Sequence, residues 1–415
     1  MNLPPRYAFL KNPSFILLTY IIVVVVASIH RYLLGIDHIN NYLIFKYSFS
    51  NLLANKDLFV PHTEYNDLYK YSPTFAFLMA PFSALPIWFG LIVWNLLNVL
   101  VLFLAIKKFP VGEENLPSYH IPVLGQARKT IVYWFVLLEL LTSVQNSQSN
   151  GLMAGLMLMT FVSFERKNVF WAAFFIALSF YIKVFGIMGA ILFLMYPDKI
   201  KFILYMSLWM VVLFFIPLLV VPFKQLIFLY QSWINLLVHD QSHSLNFSVM
   251  TFFRCWFNVN LQDIYFQITG LLLLLIPFTK YKSYQLPEFK ILILSSILIW
   301  VIIFNHKAES PTFVIAMTGV ALWFISEKNS GLSISLLVVS FILTSLSSTD
   351  IFPKYVRHEI IVPYVLKVFP CILIWIRIQW LLLVSVNNPL PIPCSAEAHT
   401  TGLGGVHTET VNTQP

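Results

Sequence analysis

Long apolar runs occupy most of the chain and alternate with short polar segments. A helix needs ~20 predominantly apolar residues to cross a bilayer, and the first run, residues 14–34, has this length. Similar runs recur almost to the end of the chain. The pattern therefore predicts an all-α polytopic membrane protein with about 12 transmembrane helices.

The predicted membrane-spanning segments are bounded by charged or turn-forming residues. They are residues 14–34, 87–106, 130–144, 151–164, 169–182, 184–196, 202–221, 264–278, 291–304, 311–326, 332–346 and 361–384. Several are short, so their helices must include neighbouring polar residues or cross a locally thin bilayer. The first segment does not end in small residues, and we interpret it as a retained anchor instead of a signal peptide.

Three further segments have a different character. Apolar positions over residues 42–53 follow a helical spacing, which predicts a short amphipathic helix lying on the membrane. Residues 72–86 are apolar but lie between prolines, and we expect a short interfacial or re-entrant helix in the first outer loop. Residues 387–415 are rich in Thr, Gly, Pro and Asn, which predicts a disordered cytoplasmic tail after one transmembrane domain, residues 1–386.

Composition supports a lipid environment. Hydrophobic residues make up 58% of the 415 residues and charged residues 11%, whereas soluble domains carry roughly 25% charged residues. The formal charge of +8 would suit a nucleic-acid partner, but the basic residues are scattered in pairs between apolar runs. Such pairs are typical of cytoplasmic loops. We therefore expect membrane lipids as partners and no nucleic acid.

The basic residues also predict an orientation. With the N-terminus in the cytoplasm, the inner loops collect Lys107, Lys108, Arg128, Lys129, Arg166, Lys167, Lys199, Lys201, Lys280, Lys282, Lys290 and Lys328. Both termini are then cytoplasmic, in agreement with the positive-inside rule, and a bacterial inner membrane fits best. The polar clusters of the chain fall on the outer face, where we expect the chemistry.

The first outer loop contains candidate acids. Asp37 and Asp67 lie at its two ends, and a carboxylate beside a membrane cavity is suited to act as a general base. The alternative is a solvated loop without chemistry.

The turn "NSQSN", residues 146–150, has five consecutive amide or hydroxyl residues, more than a turn requires. The amides of Gln148 and Asn150 can hold sugar hydroxyls or a phosphate through several hydrogen bonds. Glu139 lies deeper in the preceding helix, where it is either a structural residue or faces a cavity.

Two cationic positions complete the outer-face set. Lys183 separates two apolar runs and either extends to the membrane interface or binds a lipid-linked phosphate. In "FNHKAESP", residues 304–311, His306, Lys307 and Glu309 share one turn. They either orient a substrate, pair with a phosphate or cap the following helix.

The remaining histidines and cysteines do not predict a metal site or a cofactor. His239 and His243 have zinc-like spacing, but no third ligand follows at a clear spacing. The three cysteines are far apart and are interpreted as inert. Lys354 and Arg357 are candidate contacts to anionic lipids.

The order of four stretches resembles glycosyltransferase family 87, polytopic enzymes of the GT-C class. The stretches are "DLYKYSPTFAFLMAPFSALP" (67–86), "SQSNGLMAGLML" (147–158), "YIKVFGIM" (181–188) and "FNHKAESP" (304–311). The first resembles the family's Tyr-Pro-apolar run, the second its Gly-Gln-x-Asn step, the third its Lys before a broken helix and the fourth its outer-face His. The resemblance extends over about residues 14–385.

The resemblance implies a GT-C-like bundle and a hexosyltransferase. A hexose, with mannose as the first choice, would move from a polyprenyl-phosphate donor to an extracytoplasmic glycolipid or glycan acceptor with inversion. Basic residues would stabilise the leaving phosphate, and no metal is expected. The implied catalytic residues are Asp37, Asp67 and His306; the implied substrate contacts are Asn41, Lys70, Tyr71, Gln148, Asn150, Lys183, Lys307 and Glu309.

One departure from the family pattern concerns the residue that would act as the general base. Asn40 or Asn41 stands where the family's first-loop Asp is expected, and an amide cannot be a general base. Asp37 lies one helical turn earlier and Asp67 lies at the other end of the loop. Either can substitute, and the sequence narrowly favours Asp37.

Two other functions were weighed against the enzyme. A multi-pass transporter or lipid flippase would place ionisable residues near the membrane midplane and show two matching halves. In the predicted spanning segments, Glu139 and Arg377 are the ionisable residues interpreted as lying deep in the membrane. No internal repeat is visible in the sequence. A non-catalytic assembly factor would tolerate replacement of the outer-face polar residues.

Overall fold

The structure, a computed structural model, describes residues 5–110, 126–239, 246–327, 330–349 and 351–384. Within these ranges 79% of the residues are helical and there is no strand. The predicted all-α class is therefore confirmed for this part of the chain. The predicted tail, residues 387–415, and His243 lie outside the described residues.

The described residues form a succession of helices. The α-helices are α1 Pro13–Leu33, α2 Asn40–Leu53, α3 Pro73–Leu78, α4 Ala80–Ser83, α5 Ile87–Lys108, α6 Gln126–Gln145, α7 Asn150–Glu165, α8 Val169–Ile182, α9 Lys199–Phe215, α10 Phe223–His239, α11 Val249–Phe257, α12 Asp263–Leu275, α13 Pro287–Ile303, α14 Phe313–Ser326, α15 Gly331–Ser340, α16 Lys354–Val356 and α17 Phe369–Val384. Among them lie 3₁₀ helices at Pro5–Lys11, Ile36–Ile39, Val184–Met195, Ile216–Leu219, Ile276–Thr279, Tyr281–Ser283, Ser310–Thr312 and Leu346–Ser348, and π-helices at Phe341–Ser345 and Arg357–Ile361.

Four helical stretches are long and apolar enough to cross a membrane, judged by length and composition among the described residues. They are Pro13–Leu33, Ile87–Lys108, Lys199–Leu219 and Gly331–Ser348. Shorter apolar helices, including Asn150–Glu165 and Val169–Ile182, accompany them. Each predicted spanning segment overlaps a helix, but a total of about 12 spans stays a prediction.

The core of the molecule lies at α13 and α14. Nearly all residues of these two helices are buried, and α14 packs against α13, α6 and α7. A small residue allows a close approach: a Cβ at Gly319 would lie 2.8 Å from the Ser295 carbonyl oxygen. Likewise, a Cβ at Gly155 of α7 would lie 2.8 Å from the Leu102 amide nitrogen of α5. Small residues at such positions let apolar helices pack backbone to backbone.

The first outer loop folds as short helices against the core. A helix is confirmed at residues 42–53 as part of α2, although most of its side chains are buried in the protein, and the segment 72–86 forms the short helices α3 and α4. Ser72 caps α3 by accepting from the Phe75 amide, and Pro73 occupies its first turn. Lys46 of α2 donates to the Ser83 and Leu85 carbonyls at 2.7 and 2.5 Å. These bonds fix the loop over the bundle.

The structure differs from the predicted elements at three places. Residues 184–195 begin and end close to the predicted segment 184–196 but form a 3₁₀ helix, and Lys183, extended with φ −141° and ψ 125°, separates it from α8. The segment 361–384 is not one helix, since α17 begins only at Phe369; Pro363 lacks the N–H that a continuous helix would use. Residues 222–263, between the predicted spanning segments 202–221 and 264–278, were assigned no helix, but they contain α10 and α11.

Candidate active site

A cavity of about 730 Å³ lies where four turns of the chain meet. Ligand pockets have volumes of roughly 300–1,000 Å³. The four turns are the end of the first outer loop, the turn 146–149, the break after α8 and the turn between α13 and α14. The polar lining residues are Asn41, Asp67, Lys70, Tyr71, Gln148, Lys183, Gln267, Asn305, His306, Lys307, Glu309 and Thr312. Nine of the eleven sequence-predicted site residues are among them.

One polar wall of the cavity is a continuous hydrogen-bonded chain. Lys183 Nζ donates to Asn150 Oδ1 at 2.6 Å. Asn150 Nδ2 donates to Gln148 Oε1 at 2.6 Å and to the Pro311 carbonyl at 3.0 Å. Gln148 Nε2 donates to Glu309 Oε2 at 2.7 Å. A lysine, two amides and a carboxylate from three different turns thus form one unit, although Asn150 itself is buried behind the lining.

Lys183 occupies the break between α8 and the 3₁₀ helix Val184–Met195. Its Nζ lies 5.8 Å from the ring centroid of Tyr71 and 5.9 Å from that of Phe185. Both distances are in the range of cation–π interactions. The ammonium is therefore held at the cavity between aromatic faces and the Asn150 amide.

Asp67 presents its carboxylate at the cavity from a left-handed backbone conformation with φ 71°. Asp is among the few residues that adopt this conformation readily. Its Oδ1 accepts from the Leu68 amide at 2.7 Å and lies 3.5 Å from Lys70 Nζ, while 61% of the side chain is exposed. The carboxylate is accordingly both oriented and accessible.

Asn40 fixes the position of Asp67. Its Oδ1 accepts from the Asn66 amide at 2.8 Å, and its Nδ2 donates to the Asn66 carbonyl at 2.6 Å. Asn41, the next residue, lines the cavity and donates to the Asn146 carbonyl at 2.9 Å. The two asparagines that stand in place of an acid therefore hold the loop that carries Asp67.

Asp37 lies elsewhere. It is exposed in the 3₁₀ helix Ile36–Ile39, its Oδ1 accepts from Asn66 Nδ2 at 3.3 Å, and it is not among the lining residues. Asp37 and Asp67 thus flank the same asparagine, but only Asp67 lines the cavity.

The turn between α13 and α14 brings His306, Lys307 and Glu309 to the cavity. The segment before α11 supports it: Asn246 Nδ2 donates to the His306 carbonyl at 2.6 Å, and the Phe247 amide donates to the Ala308 carbonyl at 2.8 Å. The turn is thereby fixed on the side away from the polar wall.

Residues 69–345 match the model of glycosyltransferase family 87. This segment covers more than half of the chain and includes the polar wall, the Lys183 break and the His306 turn. The chain belongs to glycosyltransferase family 87. The family resemblance predicted from the four stretches is confirmed, and the protein is a membrane glycosyltransferase that uses a sugar donor and an acceptor. No curated protein matches the chain at a significant level.

An apolar wall of the family 87 cavity went unrecognised in the sequence. It is formed by Ile182, Val184, Phe185, Ile187, Met188, Leu237, Ile264, Ile268 and Leu271. Trp233 of α10 also lines the cavity and donates from Nε1 to the Lys70 carbonyl at 3.3 Å. The spacing of Leu226, Leu229, Tyr230 and Trp233 is that of one helix face and would have revealed α10.

Burial favours the neutral form of the tyrosine at the cavity. It raises the pKa of Tyr71 above its usual value. The Tyr71 phenol therefore remains protonated near neutral pH and is able to donate a hydrogen bond.

Among the residues that the structure describes, no group of three His, Cys, Asp or Glu side chains is placed to hold a metal ion. His239 ends α10, where its ring forms a local hydrogen bond with the Asn235 carbonyl at 2.9 Å. The polar donors of the cavity are amides and cations, which suit an anionic or hydroxylated ligand.

Proposed function

We propose that this family 87 glycosyltransferase moves a hexose, with mannose as the first choice, from a polyprenyl-phosphate sugar to an extracytoplasmic glycolipid or glycan, with inversion. The observation that supports this proposal is the union, in one cavity, of an accessible carboxylate, several cationic side chains and a long apolar wall. A donor that is half lipid and half phosphorylated sugar requires this combination.

The donor phosphate would lie near Lys183, His306 and Lys307, with its isoprenoid chain along the apolar wall. Charge develops on the phosphate oxygen as the sugar leaves. Preorganised cations in a site that excludes water stabilise such charge more strongly than they would in water. The aromatic faces around Lys183 provide a partly dehydrated position for this ammonium.

Asp67 is our choice for the general base, in preference to Asp37. In the proposed step the acceptor hydroxyl oxygen attacks the anomeric carbon and its proton passes to the Asp67 carboxylate. The bond from the anomeric carbon to the phosphate oxygen breaks, and the phosphate keeps the electron pair. Attack opposite to the leaving group inverts the anomeric carbon.

The amide-rich wall would bind the sugar. Gln148 and Glu309 line the cavity as a hydrogen-bonded pair, and Tyr71 and Asn41 face the same space. Each side chain offers a donor or an acceptor to a sugar hydroxyl. Hydroxyl recognition of this kind discriminates among hexoses because an unmatched buried polar group is costly.

The test is sugar transfer by the purified protein in liposomes. A panel of radiolabelled polyprenyl-phosphate sugars is offered with a membrane-lipid extract as acceptor, and the anomeric configuration of the product is read by NMR. Transfer from one donor with inversion is expected. Transfer from a nucleotide sugar alone, or retention of configuration, would contradict the proposal. Absence of transfer together with movement of lipid or solute across the liposome would favour a transporter.

A further inference from the structure

A buried ion pair lies behind the α13–α14 turn. Lys367 Nζ lies 2.9 Å from Glu139 Oε1 of α6, and the two residues are 1% and 0% exposed. An ammonium has three N–H donors. The same Nζ donates to Ser310 Oγ at 2.8 Å and to Ser348 Oγ at 2.5 Å, so all three donors have partners. Glu139 was singled out in the sequence, whereas Lys367 was not.

Ser310 connects this pair to the cavity. It lies between Glu309, which accepts from Gln148, and Pro311, whose carbonyl accepts from Asn150 at 3.0 Å. The turn 309–311 is thus held by two amides on its cavity side and by the Lys367 ammonium from behind. Movement of Ser310 would therefore also move Glu309 and disturb its hydrogen bond with Gln148 in the polar wall.

The segment that carries Lys367 is strained. Val365, two residues earlier, has φ 53°, a left-handed conformation that is an outlier for a β-branched residue. Such strain persists where the surrounding structure fixes the backbone. The Thr344 hydroxyl also donates to the Lys367 carbonyl at 2.9 Å, and the Phe313 ring centroid lies 5.1 Å from Nζ. Lys367 is therefore held from several directions.

We propose that Lys367, paired with Glu139, is a positioning residue for sugar transfer. It fixes Ser310 and so sets the place of Glu309 within the cavity wall. Lys367 lies beyond the segment matched to family 87, residues 69–345. The kinetic consequence rests on the proposed function, whereas the order of the turn does not.

A purely structural pair makes a different prediction. A buried ion pair is often replaceable by apolar residues of similar volume without loss of stability. If Lys367 and Glu139 only fill space, the double variant Lys367→Met/Glu139→Leu will fold and transfer sugar normally. If they position the turn, the same variant will fold but will transfer sugar slowly, because the Lys367 ammonium no longer fixes Ser310, which retains its contact with Ser348 Oγ at 3.2 Å.

The experiment combines four variants with two readouts on the full chain in detergent. The variants are Ser310→Ala, Ser310→Thr, Lys367→Met/Glu139→Leu and, as the matched control, Ser347→Ala, which removes a buried hydroxyl that donates to the Leu343 carbonyl at 2.6 Å. The readouts are hydrogen exchange of the amides in residues 304–312 and the kcat and KM for transfer. Hydrogen exchange reports on the turn even if no donor supports transfer, so failure of the proposed function and failure of this inference are distinguishable.

We expect faster exchange in residues 304–312 and a kcat lowered about tenfold or more, with a smaller change in KM, for Ser310→Ala and for the double variant. Ser310→Thr keeps a hydroxyl and should restore both values, and Ser347→Ala should stay near wild type. Normal exchange in Ser310→Ala and the double variant would overturn the inference. Equal effects of Ser310→Ala and Ser347→Ala would also overturn it, because loss of any buried hydroxyl in this region would then disturb the turn.

Discussion

Asn150 is the residue on which the polar wall depends. It is fully buried, and its amide contacts Lys183, Gln148 and the Pro311 carbonyl. Its contacts join three turns that are distant in sequence. Such a side chain both stabilises the fold and orders the cavity. The two roles can be separated by replacing a second buried amide that lies away from the cavity.

We predict that Asn150→Ala lowers the free energy of unfolding by about 1–3 kcal/mol, because buried polar partners are left unsatisfied. The same variant should also lower transfer strongly, since Lys183 and Gln148 lose their common partner. The matched control is Asn95→Ala, which removes a buried amide bonded to Ser28 away from the cavity. It should lower the melting temperature to a similar degree with transfer retained. Equal loss of transfer in both variants would contradict the role of Asn150.

Sequence alone named most of the polar residues that line the cavity, because polar side chains are rare between apolar runs. For the general base it narrowly favoured Asp37 over Asp67. Our preference for Asp67 depends on the left-handed backbone at Asp67 and on the two bonds from Asn40 to Asn66. Lys367 was missed although it lies inside the predicted spanning segment 361–384, where an ionisable side chain is itself a signal. Its partner Glu139 is distant in sequence, so the pair became visible only in the fold.

At the scale of elements, the break after α8 places Lys183 at the cavity. The chain continues as the 3₁₀ helix Val184–Met195, whose apolar side chains form one wall. A 3₁₀ helix of 12 residues is unusual, since runs longer than 3–4 residues are uncommon. Apolar composition predicted a helix here but carried no information on its type. The close packing of Gly186 against Ser179 decides how this helix lies on α8.

Gly186→Ala should therefore destabilise the protein. A Cβ at Gly186 would lie 2.5 Å from the backbone carbon of Ser179, so the two helices would have to separate. Overpacking of this kind costs about 1–3 kcal/mol, and displacement of Lys183 should lower transfer as well. Gly189→Ala is the matched control in the same helix, since its Cβ would meet Ile176 at an ordinary 3.5 Å. Melting temperatures and transfer rates of both variants check this; equal melting temperatures would contradict the packing argument.

At the scale of the whole molecule, the cavity lies at one end of a bundle whose core is α13 and α14. All twelve segments predicted from hydropathy overlap helices, because lipid requires every spanning backbone to satisfy its own hydrogen bonds. Their ends and breaks were less predictable. The break at Lys183 was predicted, whereas the break near Pro363 interrupts a run that was predicted as one segment. Helix α10 lies in a stretch to which the sequence assigned no helix.

The predicted orientation is testable by cysteine labelling in intact cells. In a background without Cys255, Cys371 and Cys394, the variant His38→Cys should react with a membrane-impermeant maleimide from outside. Arg166→Cys, in the exposed turn between α7 and α8, should react only after the membrane is permeabilised. This follows from the excess of basic residues on the inner side. The same accessibility of both positions in intact cells would contradict the topology.

The measurement that tests the central claim most directly is transfer by Asp67→Asn beside Asp37→Asn, with equal amounts of folded protein and the donor that wild type uses. Loss of a general base lowers the rate by about 10²–10⁴-fold. We predict a loss of this size for Asp67→Asn and near wild-type transfer for Asp37→Asn, because only Asp67 lines the cavity. Normal transfer by Asp67→Asn, or loss confined to Asp37→Asn, would contradict the assignment of the cavity as the site of glycosyl transfer.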